Sequence, residues 1–144
     1  DKGRCWPVLH AADCLSNVVK QHGGTIFISS GDDAREMNAE FVNHWPESLP
    51  APVDVRRVTS EIKNELGLFH FADLFLGINS FTANLAMNCD LPSIILFHKR
   101  SYMLNYRKNS IGLYPLTGTE IEDICNEDIK EKIDVFLGPK KINK

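Results

Sequence analysis

The sequence lacks most of the signatures that announce a chemistry by spacing alone. Its four cysteines, Cys5, Cys14, Cys89 and Cys125, are scattered and contain no CxxC pair. A zinc site or a disulfide framework is therefore weakly supported, and reduced intracellular thiols are the plainer expectation. None of the five histidines, His10, His22, His44, His70 and His98, falls into an HxxxH pattern, so no metal is expected. Gly23-Gly24-Thr25 does not extend to GxGxxG, which argues against a dinucleotide-dependent oxidoreductase. Cys5 precedes Trp6-Pro7 and not a CxxxxxR cradle, which argues against a thiol phosphatase. No apolar run approaches the roughly 18 residues of a membrane helix, and no signal-peptide pattern is present. Excess positive charge is missing too. The net charge is −3, so composition carries no nucleic-acid footprint.

What is there is ordinary globular sequence. The 144 residues are 43% hydrophobic and 24% charged, enough for one domain with a good core. The first residue is Asp1, and structured-looking sequence follows at once, which suggests a domain of a longer protein. Residues 1–138 read as that domain and Lys140–Lys144 as a basic tail, so that 139–144 falls outside it.

The most organised stretch runs from Phe71 to Arg100. Ala72–Ile78 is a short apolar run of strand length. Asn79 and Ser80 are helix-capping types, and Phe81–Asn88 places Phe81, Leu85 and Asn88 on one helical face. Asp90 and Pro92 stop that helix, and Ser93–Phe97 is a second buried strand. Two strands joined by one helix form a βαβ unit. Its helix opens at the carboxyl end of the first strand, where α/β sheets take ligands and where free backbone N–H groups suit a phosphate.

The rest of the chain repeats this alternation. Val8–Gln21 is helical by periodicity and ends at Gly23-Gly24. Thr25–Ser29 is a strand, and Ser30-Gly31-Asp32-Asp33 turns into a helix over roughly Ala34–Asn43. Asp32, Asp33 and Glu36 read as turn and first-turn charges. Val53–Val58 is a strand candidate weakened by Asp54, and Thr59 or Ser60 starts a helix running to about Phe71. Beyond the basic, aromatic loop at His98–Asn109, Ile111–Tyr114 and Ile121–Ile124 are ambiguous. Asn126 caps a last helix, Asp128–Leu137. The alternation predicts an α/β fold: a doubly wound, mostly parallel sheet of about four to five strands with helices on both faces. Thr25–Ser29 and Ala72–Ile78, the most apolar runs, are expected at its centre.

Read in order, Arg4-Cys5-Trp6-Pro7, then Ser30-Gly31-Asp32-Asp33 with Glu36, then Ile78-Asn79-Ser80-Phe81-Thr82-Ala83-Asn84-Leu85-Ala86, then Asp90-Leu91-Pro92-Ser93 into Ile94–Phe97, resemble one known pattern. It is the C-terminal, nucleotide-sugar-binding domain of glycosyltransferase family 9, the ADP-heptose heptosyltransferases of lipopolysaccharide synthesis. The resemblance covers about two thirds of the chain. It implies the Rossmann-like half of a two-domain GT-B glycosyltransferase, located in the cytoplasm or peripherally at the membrane. Its donor would be a nucleotide-diphosphate sugar, and its acceptor a glycan, lipopolysaccharide or protein held by a separate N-terminal domain. It implies no cofactor and no metal. Carried over position by position, the donor-binding residues would be Arg4, Asn79, Ser80, Thr82 and Asn84. Lys99 and Arg100 join them as cations leaving the second strand. No catalytic base falls within the chain, so the isolated domain is expected to transfer no sugar.

Four features depart from the family pattern. Asn79 stands where the family has Asp, Phe81 where it has Gly, and Asn84 where it has His. His98-Lys99-Arg100 replaces the usual Gly-Pro-Thr. A glycine lets backbone approach a pyrophosphate closely, and a phenylalanine does not. Two alternatives therefore stand beside the transferase: a non-catalytic nucleotide- or phosphate-binding module derived from one, and another doubly wound enzyme such as a sugar-nucleotide epimerase.

Overall fold

The computed structural model describes residues 5–55, 62–98 and 108–138. In chain order these form α1 (Val8–His22), β1 (Phe27–Ile28), a 3₁₀ turn (Asp32–Ala34), α2 (Arg35–His44), β2 (Val53–Asp54), α3 (Ile62–Phe69), β3 (Phe75–Ile78), α4 (Phe81–Asn88), β4 (Ser93–Leu96), β5 (Ser110–Leu113), a second 3₁₀ turn (Ile121–Asp123) and α5 (Asn126–Leu137). Every strand pair among the described residues is parallel. The protein is an α/β fold of parallel sheets and helices, and its described residues divide into two compact units, Pro7–Glu65 and Leu66–Gly138 with Cys5 and Trp6.

In the first unit, α1 carries Ala11, Ala12, Cys14, Val18 and Val19 on its buried side. Gly23, at φ 78°, ends the helix and returns its N–H to Val19 O at 2.8 Å. α1 and α2 pack together, and α2 buries Phe41. Phe41 lies against Trp45 with ring centroids 5.5 Å apart, and the Trp45 indole donates to Pro50 O at 2.9 Å. That bond satisfies the one polar atom the buried ring carries. The strands of this unit are brief. β1 and β2 pair over two residues each, Phe27 opposite Val53 and Ile28 opposite Asp54.

The second unit holds the larger sheet, in the order β3-β4-β5. Ser93, Ile94, Ile95 and Leu96 are fully buried and Phe97 is nearly so. Successive strand residues point to opposite faces, so β4 is covered on both sides. Each of its large side chains contributes about 1.5–3 kcal/mol by leaving water. α4 packs on β3 and β4 through Ala83, Ala86 and Met87. Ala83 and Met87 meet Ile95 and Phe97, while Ala86 joins Phe69 and Leu91, and Phe75 touches both groups. Within β3 the Phe75 ring lies over Gly77, where an added Cβ would come within 2.8 Å of the ring tip.

α4 ends in a Schellman turn. Leu91 N–H bonds to Ala86 O at 3.2 Å and Asp90 N–H to Met87 O at 3.1 Å, with Asp90 at φ 57°. Leu91 then packs beside Ala86, the apolar contact that accompanies this motif.

Several expectations are corrected. The central strand of the three-stranded sheet is β4; β3 flanks it, and β1 belongs to a two-stranded pair with Phe27 49% exposed. The apolarity of Thr25–Ser29 and Ala72–Ile78 did not make them central, because β5 supplies β4 with a second neighbour. The buried face of α4 carries Ala83, Ala86 and Met87; of the three residues read onto one helical face, Leu85 packs against the Phe69–Ala86–Leu91 cluster, while Phe81 and Asn88 are exposed. Small residues let the helix approach the strands closely, which a phenylalanine would prevent. Cys125, not Asn126, takes the cap position of α5. The ambiguous Ile111–Tyr114 run is strand β5 over Ser110–Leu113, and Ile121–Ile124 becomes a 3₁₀ turn. Residues 56–61, into which the expected Val53–Val58 strand continued, lie outside the described residues, as does the basic tail.

Candidate functional site

The carboxyl ends of β3, β4 and β5 gather at one edge of the larger sheet, because the three strands run parallel and in matched register. Asn79 N–H donates to Leu96 O at 3.2 Å and Phe97 N–H to Leu113 O at 2.9 Å, so pairing continues one step past each strand. The loop into α4, the half-buried His98 and Tyr114 emerge there.

Ser80 turns the chain into α4. Its backbone is extended (φ −151°, ψ 174°), and its hydroxyl accepts the Ala83 N–H at 3.3 Å. This is the N-cap arrangement read from the sequence, and it satisfies one of the helix's orphan donors. Asn84 N–H bonds to Ser80 O at 3.2 Å in the regular helical pattern. The N–H groups of Phe81 and Thr82 have no partner among the described residues. Two outward donors with the positive end of the helix dipole behind them can meet an anion.

The proposed donor residues are brought together in part. Asn79 is exposed on the turn, while Ser80 and Thr82 are half-buried in the turn and first helical turn. Asn84 is exposed one turn in, and its side-chain amide donates back to Ser80 O at 2.9 Å. At least one of its amide protons is thus directed into its own helix. Phe81 begins α4 with its ring 65% exposed. Arg4, Lys99 and Arg100 lie outside the described residues.

Tyr114 is the feature sequence reasoning missed. It stacks on Phe97 with centroids 4.7 Å apart and planes 10° apart, and so packs the sheet at its carboxyl edge. The signal was present in Ile111–Tyr114, an apolar run closed by an aromatic, but it was too short to identify as a strand before β4 was known to be central.

The first unit has a polar cluster of its own at the carboxyl end of β1 and β2. Asn38 of α2 is buried, and its Nδ2 donates to Ser30 Oγ at 2.7 Å and to Asp54 Oδ2 at 3.2 Å. A carboxylate only accepts, so Asp54 fixes which end of the amide faces it. The Ser30-Gly31-Asp32-Asp33 turn was expected to cap the second helix. Neither the 3₁₀ turn nor α2 has a side-chain cap, and Ser30 is tied instead to the middle of α2. Among the described residues, no group of three or more His, Cys, Asp or Glu side chains is placed to hold a metal ion. No described helix is long and apolar enough to cross a membrane.

No protein-family model matches the sequence, and no curated protein matches it. Among solved structures, the chain is similar to E. coli heptosyltransferase WaaC, solved with ADP-2-deoxy-2-fluoro heptose, at a TM-score of 0.64 and 14% sequence identity. The match covers 92% of this chain and 39% of the heptosyltransferase chain, so this chain spans well under half the length of its structural neighbour. At that identity the likeness establishes the fold: an α/β arrangement of the heptosyltransferase kind.

Proposed function

We propose that this chain is the donor-binding domain of a glycosyltransferase that moves a sugar from a nucleotide-diphosphate sugar to a glycan, lipopolysaccharide or protein acceptor. The observation that carries the reading is the fold likeness to a heptosyltransferase solved with an ADP-sugar analogue. The α4 N-terminus at the carboxyl edge of β3 and β4 supports it. The reading takes residues 1–138 as the binding domain and 139–144 as a tail. Asn79, Ser80 and Thr82 would face the diphosphate, Asn84 the ribose or phosphate, and Arg4, Lys99 and Arg100 would pair with phosphate oxygens. Cytoplasmic residence, where the sugar nucleotide is available, goes with this reading.

The chemistry required of such a domain is electrostatic. Breaking the sugar–phosphate bond builds negative charge on the leaving diphosphate. Backbone amides at a helix N-terminus and fixed cations lower the barrier by meeting that charge where it develops. The acceptor and its base would come from the portion of a two-domain transferase beyond this chain, which makes transfer by residues 1–144 alone unattainable. The test is calorimetric titration with ADP, GDP and UDP and with their sugars, alongside an assay for released diphosphate. Weak diphosphate binding without turnover is expected. Ser80→Ala and Lys99→Ala should each weaken binding by about 1–2 kcal/mol. Sugar turnover by this chain alone would overturn the assignment of roles.

A second reading is favoured by two observations. The Phe81 ring stands exposed at the first position of α4, and the Asn84 amide is turned onto its own helix. The first puts a bulky apolar side chain where the family pattern has glycine, and the second commits one amide proton of Asn84 within the helix, as in a non-catalytic nucleotide- or phosphate-binding module derived from a transferase. Failure to bind any nucleoside diphosphate, with the fold intact by circular dichroism, would select it.

A further inference from the structure

We draw no further inference here: the strongest candidate, the Ser30–Asn38–Asp54 side-chain cluster at the carboxyl end of β1 and β2, has hydrogen bonds that tie its own loop, helix and strand together, and no second observation points to a ligand there.

Discussion

The two units carry the same βαβ plan and settle it differently. In both, a strand leads through a serine into a helix and then to a second, parallel strand: β1–Ser30–α2–β2 and β3–Ser80–α4–β4. Ser80 sits directly at the helix start and accepts the Ala83 N–H. Ser30 is separated from α2 by a 3₁₀ turn and accepts instead from the buried side chain of Asn38. One serine satisfies a helix end, and the other anchors a helix flank. The strands differ in the same sense. β4 has a neighbour on each side and no exposed face, whereas β1 pairs over two residues and leaves Phe27 half in solvent. Apolar burial dominates the larger unit's sheet, while a polar cluster joins the strands of the smaller one to α2. Burial depends on a second strand neighbour more than on the apolarity of the segment itself.

The largest effect that would break this comparison lies in β4. Ile95→Ala should cost about 2–5 kcal/mol in chemical denaturation, because a fully buried branched side chain leaves a cavity beneath α4. Phe27→Ala in β1 should cost clearly less, since half of that ring is already in water. Equal losses would mean that β1 is as much a core strand as β4.

Next is the polar junction. Asn38→Ala should cost about 1–3 kcal/mol by withdrawing a buried donor from Ser30 and Asp54. Asn84→Ala, at the equivalent point of the other unit, should stay within about 0.5 kcal/mol, because its amide is solvated. A large loss at Asn84 would show that its bond to Ser80 O holds the start of α4.

Phe81→Gly sharpens the functional side of the comparison. If the α4 N-terminus is the phosphate site, removing the exposed ring should tighten ADP binding by about 1 kcal/mol, roughly fivefold. Unchanged or weaker binding in calorimetry would place the phosphate elsewhere or make the ring a contact.

The smallest expected effect is at α5. The Cys125 thiol donates to Glu127 Oε2 at 2.6 Å, and this bond, followed by Glu127's own backbone, holds the carboxyl below the usual carboxylate range. A lowered folded-state pKa contributes stability above the unfolded pKa, and that contribution is lost as pH falls through the folded value. Glu127→Gln should therefore be slightly less stable than the parent near neutrality, and the gap should close in acid. Both groups are exposed, so the difference is small. A gap that widened on acidification would contradict the assignment.

Local chemistry made much of this protein legible in advance. The span of α4, its Ser80 cap, the α1 stop at Gly23 and the β4 run are fixed by residues adjacent in sequence, and each appears where periodicity and capping place it. Asp90 was read with Pro92 as a helix stop, and it adopts the left-handed conformation that a short polar side chain tolerates. Of the residues proposed for the donor, Asn79, Ser80, Thr82 and Asn84 were legible as neighbours because they are nearly consecutive in sequence, whereas Arg4, Lys99 and Arg100 lie outside the described residues.

What depended on partners distant in sequence was decided only by tertiary structure. Which strand is central turns on β5, more than a dozen residues beyond β4 and too short to identify alone. Which face of α4 is buried turns on the close fit that Ala83 and Ala86 allow against β3 and β4, and it leaves Phe81, the most hydrophobic residue of the helix's first turn, in water. The Tyr114–Phe97 stack and the Asn38 bridge likewise join residues from separate elements. Capping and periodicity act over a few residues and are written in order along the chain. Strand order, packing faces and buried polar bridges are selected by competition among segments for the same buried space, and that competition is resolved only when the chain folds.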